Sequence, residues 1–235
     1  MKKNLLYLLA GFFLALPMVA NAQRIDIYKT ANIERYAAAN KEVPAKAKKE
    51  KRVVFMGNSI TEGWARVHPD WFKENNYYGR GISGQTSPQM LLRFQADVIA
   101  LQPDVVVINA GTNDIAENSG TYHASFTLDN IKAMAELAKA NGIKVILTSV
   151  LPHDHFRWNK NIVDVTRKVD ELNQTIKAYA DVHKIPYVDY NAAMRNEKGA
   201  MKEGLSDDGV HPFPDTYLIM EALIKPVIDK QLKKK

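Results

Sequence analysis

Five short segments of the chain combine apolar character with β-branched or aromatic residues. Four of them are near-continuous apolar runs, at residues 53–56, 104–110, 144–150 and 186–190, and a weaker one lies at residues 77–82. Strands that are apolar at nearly every position are typical of a parallel sheet that is buried on both faces. The pattern therefore predicts about five parallel β-strands.

Segments with helical periodicity lie between and after these strands. They carry apolar residues at spacings of three and four and cover residues 88–101, 125–140, 163–183 and 215–232. Pro226 lies inside the last segment and is expected to kink or split it. The alternation of strands and helices predicts an α/β fold, a three-layer α/β/α sandwich, because right-handed crossovers place helices on both faces of the sheet.

The first 22 residues have the pattern of a secretory signal peptide. Lys2 and Lys3 precede an apolar run at residues 5–20, and a small-residue triplet that suits a signal peptidase ends at Ala22. The run is short for a membrane span and is interrupted by glycine and proline. We therefore expect cleavage after Ala22, export to the periplasm or the extracellular medium, and no stable insertion into a membrane afterwards.

The rest of the chain is predicted to form one domain preceded by an arm. Residues 23–51, called the N-terminal arm below, contain a helical stretch at residues 33–40 and then a linker rich in Lys, Ala and Pro, whereas residues 52–235 carry the alternating pattern. The chain has no cysteine, so an exported form depends on its core and not on disulfides for stability. Its net charge of +6 is mild and mostly scattered, which argues against a nucleic-acid partner.

Small polar residues and glycines follow the first three predicted strands and precede the last helix. Since the carboxyl ends of parallel strands meet at one edge of a sheet, we expect these groups to lie close together. Ser59 is then a candidate nucleophile, His211 a candidate base, and Asp208, three residues earlier, a candidate carboxylate that orients the imidazole. The backbone N–H groups of Ser59 and Gly84 and the side-chain amide of Asn113 are candidate donors to an oxyanion.

Each of these residues also has a purely structural interpretation. Ser59 is suited to cap a helix, Asn113 to a turn, and His211 to a hydrogen-bonded loop. Gly81 competes with Gly84 for the role of oxyanion donor. The joint occurrence of a hydroxyl, an imidazole, a carboxylate and amide donors at strand ends nevertheless favours the catalytic interpretation.

The four blocks resemble those of the SGNH hydrolases, the GDSL-type esterases and lipases, in the same order and over residues 52–232. The blocks are Gly57-Asn58-Ser59-Ile60, Gly84 within Ile-Ser-Gly-Gln-Thr, Gly111-Thr112-Asn113-Asp114 and Asp208-Gly209-Val210-His211. The resemblance implies a flavodoxin-like five-stranded sheet of order 2-1-3-4-5 and no cofactor. It also implies Ser59 as nucleophile, Gly84 and Asn113 as oxyanion donors, and Asp208 and His211 as the rest of the triad. The sequence departs from the family at Asn58, where aspartate is usual, and at Thr112, where glycine is common, but neither change removes a catalytic group.

These features predict an exported serine esterase that cleaves short acyl esters, above all acetyl esters, of carbohydrates or similar hydroxyl compounds. No long apolar insertion is available to shape a lid or a lipid-facing surface. Three alternatives stay open: a lysophospholipase or acyl-thioesterase, a non-catalytic glycan-binding protein, and a metal-dependent phosphoesterase.

Three further residues are candidates for substrate contact. Trp64 and Trp158 lie close to strand-end loops and are candidates for a platform under a sugar ring or an acyl chain. His153 belongs to the triplet His153-Asp154-His155, which suggests either a zinc site or a loop that lines the cleft. The cleft-lining interpretation is favoured because no further ligand with suitable spacing stands out, so no metal is expected.

Overall fold

The central sheet has five strands, all parallel, in the order β2-β1-β3-β4-β5. The strands of this computed structural model are β1 Val53–Gly57, β2 Tyr77–Gly81, β3 Val105–Ile108, β4 Lys144–Thr148 and β5 Tyr187–Val188. The structure describes residues 25–233, so the predicted signal peptide at residues 1–22 lies outside the described residues. The observed sheet confirms the predicted fold class and strand order, although most strands are shorter than predicted.

Alternate residues of each strand enter two different cores. Val54 and Met56 of β1 belong to the core on one face of the sheet, whereas Val53 and Phe55 belong to the core on the other face. Every residue of β1 and β3 is buried. The continuous apolar runs in the sequence therefore arise because both sides of these central strands are covered by helices.

Helices cover both faces and complete the three layers. In chain order they are α1 Ile27–Ala31, α2 Ala37–Lys41, α3 Ser59–Val67, α4 Pro69–Glu74, α5 Ser87–Asp97, α6 Thr112–Ile115, α7 Ala124–Ala140, α8 Val165–Val182, α9 Tyr190–Met194 and α10 Tyr217–Lys233. Apolar residues of α5, α7 and α8 fill one core, and those of α3, α9 and α10 fill the other. None of the helices within residues 25–233 has the length and hydrophobicity needed to cross a membrane.

Pro226, which is expected from the sequence to kink or split the last helix, does not split it. The helix runs without interruption from Tyr217 to Lys233, so the predicted split does not occur. Proline removes one backbone donor, but Ile224 and Ile228 on either side of it are fully buried in the core. The packing of this face therefore outweighs the local preference to break the helix.

The N-terminal arm lies against the edge of the sheet and against α5. It contains α1, a short 3-10 helix at Ile33–Tyr36, and α2. Asn40 in α2 donates to the Asp97 carboxylate at 2.7 Å and accepts a hydrogen bond from Arg80 at 2.8 Å. These contacts fix the arm on the domain near the carboxyl end of β2.

A buried arginine ties the ends of the first two strands to α5. Arg93 has no exposed surface, and its guanidinium donates to the carbonyl oxygens of Gly57 and Arg80 at 3.0 and 2.9 Å. It also donates to Gln85 at 2.6 Å and forms an ion pair with Asp97 at 2.9 Å. One buried cation therefore holds the two strand ends on which the polar loops begin.

Removing the partner of this cation is expected to destabilise the fold strongly. Asp97→Ala leaves Arg93 buried without its counter-charge, which should lower the free energy of unfolding by about 3–5 kcal/mol. The matched control is Asp181→Ala, which breaks a helical pair of the same spacing between Lys177 and Asp181, both more than half exposed. That change should cost less than about 1 kcal/mol. The free energy of unfolding in urea measures both, and equal losses would contradict the role assigned to the buried pair.

Candidate active site

The serine after β1 begins a helix but does not cap it. Asn58 is the N-cap of α3, with extended backbone and a side-chain oxygen that accepts from the N–H of Ile60 at 3.0 Å. Ser59 is the first helical residue, so the interpretation of Ser59 as the cap is wrong. Because Asn58 satisfies this helix end, the Ser59 hydroxyl is left for another partner.

That partner is His211, which lies 152 positions further along the chain. Ser59 Oγ is 2.9 Å from His211 Nε2. On the other side of the ring, His211 Nδ1 lies 2.6 Å from Asp208 Oδ2. Since a carboxylate accepts the proton of Nδ1, Nε2 is the ring atom left to accept the serine proton. The three groups form one hydrogen-bonded chain from hydroxyl to carboxylate.

The Asp208 carboxylate is held in its ionised form. Partial burial alone would raise the pKa of Asp208, but the hydrogen bonds from His211 and from backbone N–H groups outweigh it and hold this pKa well below its usual range. The N–H groups of Val210 and His211 both donate to Oδ1, at 2.9 and 2.7 Å. The short loop therefore presents a fixed negative charge to the imidazole.

The two candidate glycines, Gly81 at the end of β2 and Gly84 in the loop after it, have different structural roles. Gly81 packs against the backbone of α3, where an added Cβ would lie 2.5 Å from the carbonyl oxygen of Asn58. Gly84 instead has a φ of +78°, in the left-handed region that favours glycine. The loop that follows β2 therefore turns at Gly84, whereas Gly81 permits the close approach of β2 to α3.

Asn113 lies in α6, a one-turn helix within the connection that follows β3, and is buried against the Gly84 loop. Its Nδ2 donates to the carbonyl oxygen of Gln85 at 2.9 Å. A carboxamide nitrogen carries two hydrogens, so one remains for another acceptor. Asp114 next to it anchors α6, because its carboxylate accepts from the backbone N–H and the hydroxyl of Ser87.

Asn118 joins these loops and was missed by the sequence analysis. Its Nδ2 donates to Asn113 Oδ1 at 3.0 Å and to the Gly84 carbonyl oxygen at 3.1 Å. Its Oδ1 accepts from the indole N–H of Trp158 at 2.8 Å. Nothing in the local sequence distinguishes Asn118 from an ordinary turn residue, since two of its partners, Gly84 and Trp158, are 34 and 40 positions away along the chain.

The two tryptophans singled out in the sequence have opposite environments. Trp158 is 46% exposed, and its ring centroid lies 6.2 Å from that of His211, so substrate contact at Trp158 stays a prediction. Trp64 is only 2% exposed, stacks between Trp71 and Tyr217, and donates to Glu221 at 2.9 Å. The prediction of a substrate platform at Trp64 is wrong, because this side chain faces the core.

His153 is also buried and does not line the cleft. Its Nδ1 donates to the carbonyl oxygen of Gly209, and its Nε2 accepts from the Thr112 hydroxyl, both at 3.2 Å. Burial lowers the pKa of His153 to about 4, so the ring is neutral at pH 7. The predicted substrate contact at His153 is wrong. The His153 side chain instead links Thr112, next to Asn113, to Gly209 in the loop of Asp208 and His211.

No metal cluster forms around this histidine. Within residues 25–233, no group of three or more His, Cys, Asp or Glu side chains could hold a metal ion. His155 is exposed, and its Nδ1 lies 2.6 Å from Oδ1 of the neighbouring Asp154. His153 instead forms hydrogen bonds to the two loops described above. The two histidines of the triplet therefore serve different local purposes.

A cleft of about 810 Å³ opens beside Ser59 and His211. Its wall includes the charged side chains of Arg35, Glu62 and Arg66. Arg35 and Glu62 form an ion pair at 2.9 Å. The size lies within the range of small-molecule binding sites in proteins.

The chain matches the GDSL-like Lipase/Acylhydrolase family over residues 55–219, more than half of its length, and it belongs to this family. The crystal structure of a GDSL-like lipase from Bacteroides thetaiotaomicron has a TM-score of 0.84 and 59% identity, covering 85% of this chain and 98% of that one. The block resemblance noted in the sequence is thus confirmed at the level of the family.

Two curated relatives act on acetyl esters by name. An acetylxylan esterase of Xylanibacter ruminicola is 28% identical over 210 residues, which cover 73% of this chain and 42% of the relative. The chain therefore spans less than half the length of that enzyme. An isoamyl acetate-hydrolyzing esterase of Saccharomyces cerevisiae is 23% identical over 206 residues, which cover 76% of this chain and 86% of the relative.

The buried neutral His153 makes stability depend on pH. Its pKa is about 4 in the folded protein against 6.5 as the ordinary value, so between these values the unfolded chain binds more protons. Stability is then fully present above about pH 6.5 and falls as the pH drops towards 4, by roughly 3 kcal/mol. His153→Gln should flatten this part of the profile of unfolding free energy against pH.

The matched control is His183→Gln, which makes the same substitution at an exposed histidine. Chemical denaturation at several pH values between 4 and 7 gives the slopes. A His153→Gln variant with the slope of the unmodified chain would rule out the assigned role of His153.

Proposed function

We propose that this chain is an exported serine esterase that removes short acyl groups, above all acetyl, from the hydroxyl groups of carbohydrates. The observation that carries the proposal is the hydrogen-bonded chain from Ser59 through His211 to Asp208 at the wall of an open cleft. The predicted signal peptide supports the exported location.

The first half of the reaction forms an acyl-enzyme. Ser59 Oγ attacks the carbonyl carbon of the ester while His211 Nε2 takes the hydroxyl proton. The negative charge that develops on the carbonyl oxygen is stabilised by the backbone N–H groups of Ser59 and Gly84 and by the free amide hydrogen of Asn113. The tetrahedral intermediate collapses, the bond to the alcohol oxygen breaks, and His211 returns the proton to the departing alcohol.

The second half releases the acid. A water molecule attacks the acyl carbon and gives its proton to His211 Nε2, and the same donors stabilise the second tetrahedral intermediate. Ser59 then leaves with the proton from His211, and the free acid departs. Asp208 stays ionised throughout and stabilises the imidazolium that forms in each half.

Two kinds of observation support a short acyl group and a polar alcohol. Three charged side chains, Arg35, Glu62 and Arg66, line the cleft, and a long apolar acyl chain against them would displace their water without offering hydrogen bonds in return. The two curated relatives described above hydrolyse acetyl esters by name. A lipid acylhydrolase would instead need an extended apolar wall next to the serine.

A panel of p-nitrophenyl esters of increasing chain length, together with an acetylated xylo-oligosaccharide, tests the proposal. We expect kcat/KM to be highest for acetate and to fall with chain length, and the oligosaccharide to release acetate. Ser59→Ala should lower kcat by about 10⁴-fold or more on every substrate.

The outcomes separate the alternatives. A preference for long chains would overturn the short-acyl assignment and favour a lipid acylhydrolase. Turnover that persists in purified Ser59→Ala would overturn the serine mechanism, and loss of turnover in EDTA with recovery on adding a divalent metal would favour the phosphoesterase class. The absence of any ester turnover would favour a glycan-binding protein.

A further inference from the structure

The N-terminal arm reaches the rim of the cleft that contains the serine. The Tyr36 hydroxyl donates to the carbonyl oxygen of Gly81 at the end of β2, and the Arg80 guanidinium lies 4.9 Å from the centre of the Tyr36 ring. Further along, Gln85 donates to the carbonyl oxygen of Ala31 at 2.8 Å. The arm is therefore fixed to the loop that carries Gly84.

Arg35 and Tyr36 of this arm line the same cleft as Ser59 and His211. The Arg35 guanidinium pairs with one oxygen of Glu62 at 2.9 Å, and the other oxygen of Glu62 accepts from the N–H of Ser83 at 2.9 Å. Glu62 thus holds the arm and the Gly84 loop at fixed positions around the cleft. The partners of Glu62 also leave its pKa lowered, although partial burial opposes this.

The Arg35 side chain keeps most of its hydrogen-bonding capacity. It is 48% exposed, and within residues 25–233 Glu62 is its sole hydrogen-bonding partner. A guanidinium carries five N–H donors in one plane. The unused donors lie in a cleft wall where a bound substrate would replace their water.

We propose that Arg35 is a specificity-determining residue that binds the hydroxyl or ring oxygens of the alcohol part of the substrate, a sugar. The inference rests on the proposed esterase function. A donor such as Arg35 beside an acceptor such as Glu62 can pair with sugar hydroxyls, which both donate and accept. An apolar acyl chain against the same groups would displace their water and offer no hydrogen bond to the unused donors of Arg35. In this proposal, Arg35 of the N-terminal arm contacts the alcohol part of the substrate, whereas Ser59, His211 and Asp208 of the domain carry out the reaction.

The test compares two acetyl esters that differ only in the alcohol. For Arg35→Ala, the ratio of kcat/KM on the acetylated xylo-oligosaccharide to that on p-nitrophenyl acetate should fall about ten-fold or more, because p-nitrophenol offers no hydroxyl-rich ring to Arg35. The matched control is Lys41→Ala, which removes an exposed charge from the arm outside the cleft lining and should leave the ratio unchanged. Arg35→Lys should recover part of the ratio.

An unchanged ratio in Arg35→Ala would overturn the inference while leaving the esterase function intact, whether both activities stay normal or fall together. Equal losses on both substrates would show that Arg35 acts only through the shape of the site. Absence of turnover on both substrates by the unmodified chain would overturn the proposed function itself, and turnover of p-nitrophenyl acetate alone would overturn the sugar assignment.

Discussion

The hydrogen bond between Ser59 Oγ and His211 Nε2 is the contact on which the rest of the site depends. It joins the residue that opens α3 to a loop just before α10, across almost the whole domain. Closing so long a loop costs conformational entropy, and the bond alone does not offset that cost. The loop of His211 must therefore be shaped by its own contacts before it meets the serine.

Those contacts come from several directions. Asp208 accepts from two backbone N–H groups within the loop, and the buried side chain of His153 donates to the Gly209 carbonyl oxygen. The loop also closes on itself through an antiparallel bridge between Ser206 and Pro212. Each of these bonds is made by a partly or fully buried group, so few alternative positions of the imidazole are available. The contacts that stabilise this loop are therefore also the contacts that position the imidazole.

Polar side chains do the same for the other strand ends, one of them buried (Arg93) and one exposed (Asn118). Arg93 fixes the ends of β1 and β2, and Asn118 fixes the Asn113 loop to the Gly84 loop. The central sheet could be predicted because burial on both faces leaves an unbroken apolar pattern. The candidate site residues could be proposed because they stand in loops after strands or just before the last helix. Asn118, and the place of Arg35 in the cleft, could not be predicted, since each depends on partners far away in sequence.

The error at Trp64 was avoidable: Ile60 and Trp64 are four residues apart on one helical face, and both are buried. His153 offered no such periodicity, because it lies in a loop that folds under the site.

The most direct test of the central contact is the rate at which a fluorophosphonate labels the chain, with the modified peptide identified by mass spectrometry. The label should attach to Ser59, and His211→Gln should slow the labelling by about 10²-fold or more, because the hydroxyl loses its base. Labelling of a different residue, or an equal rate in the His211→Gln variant, would contradict the account.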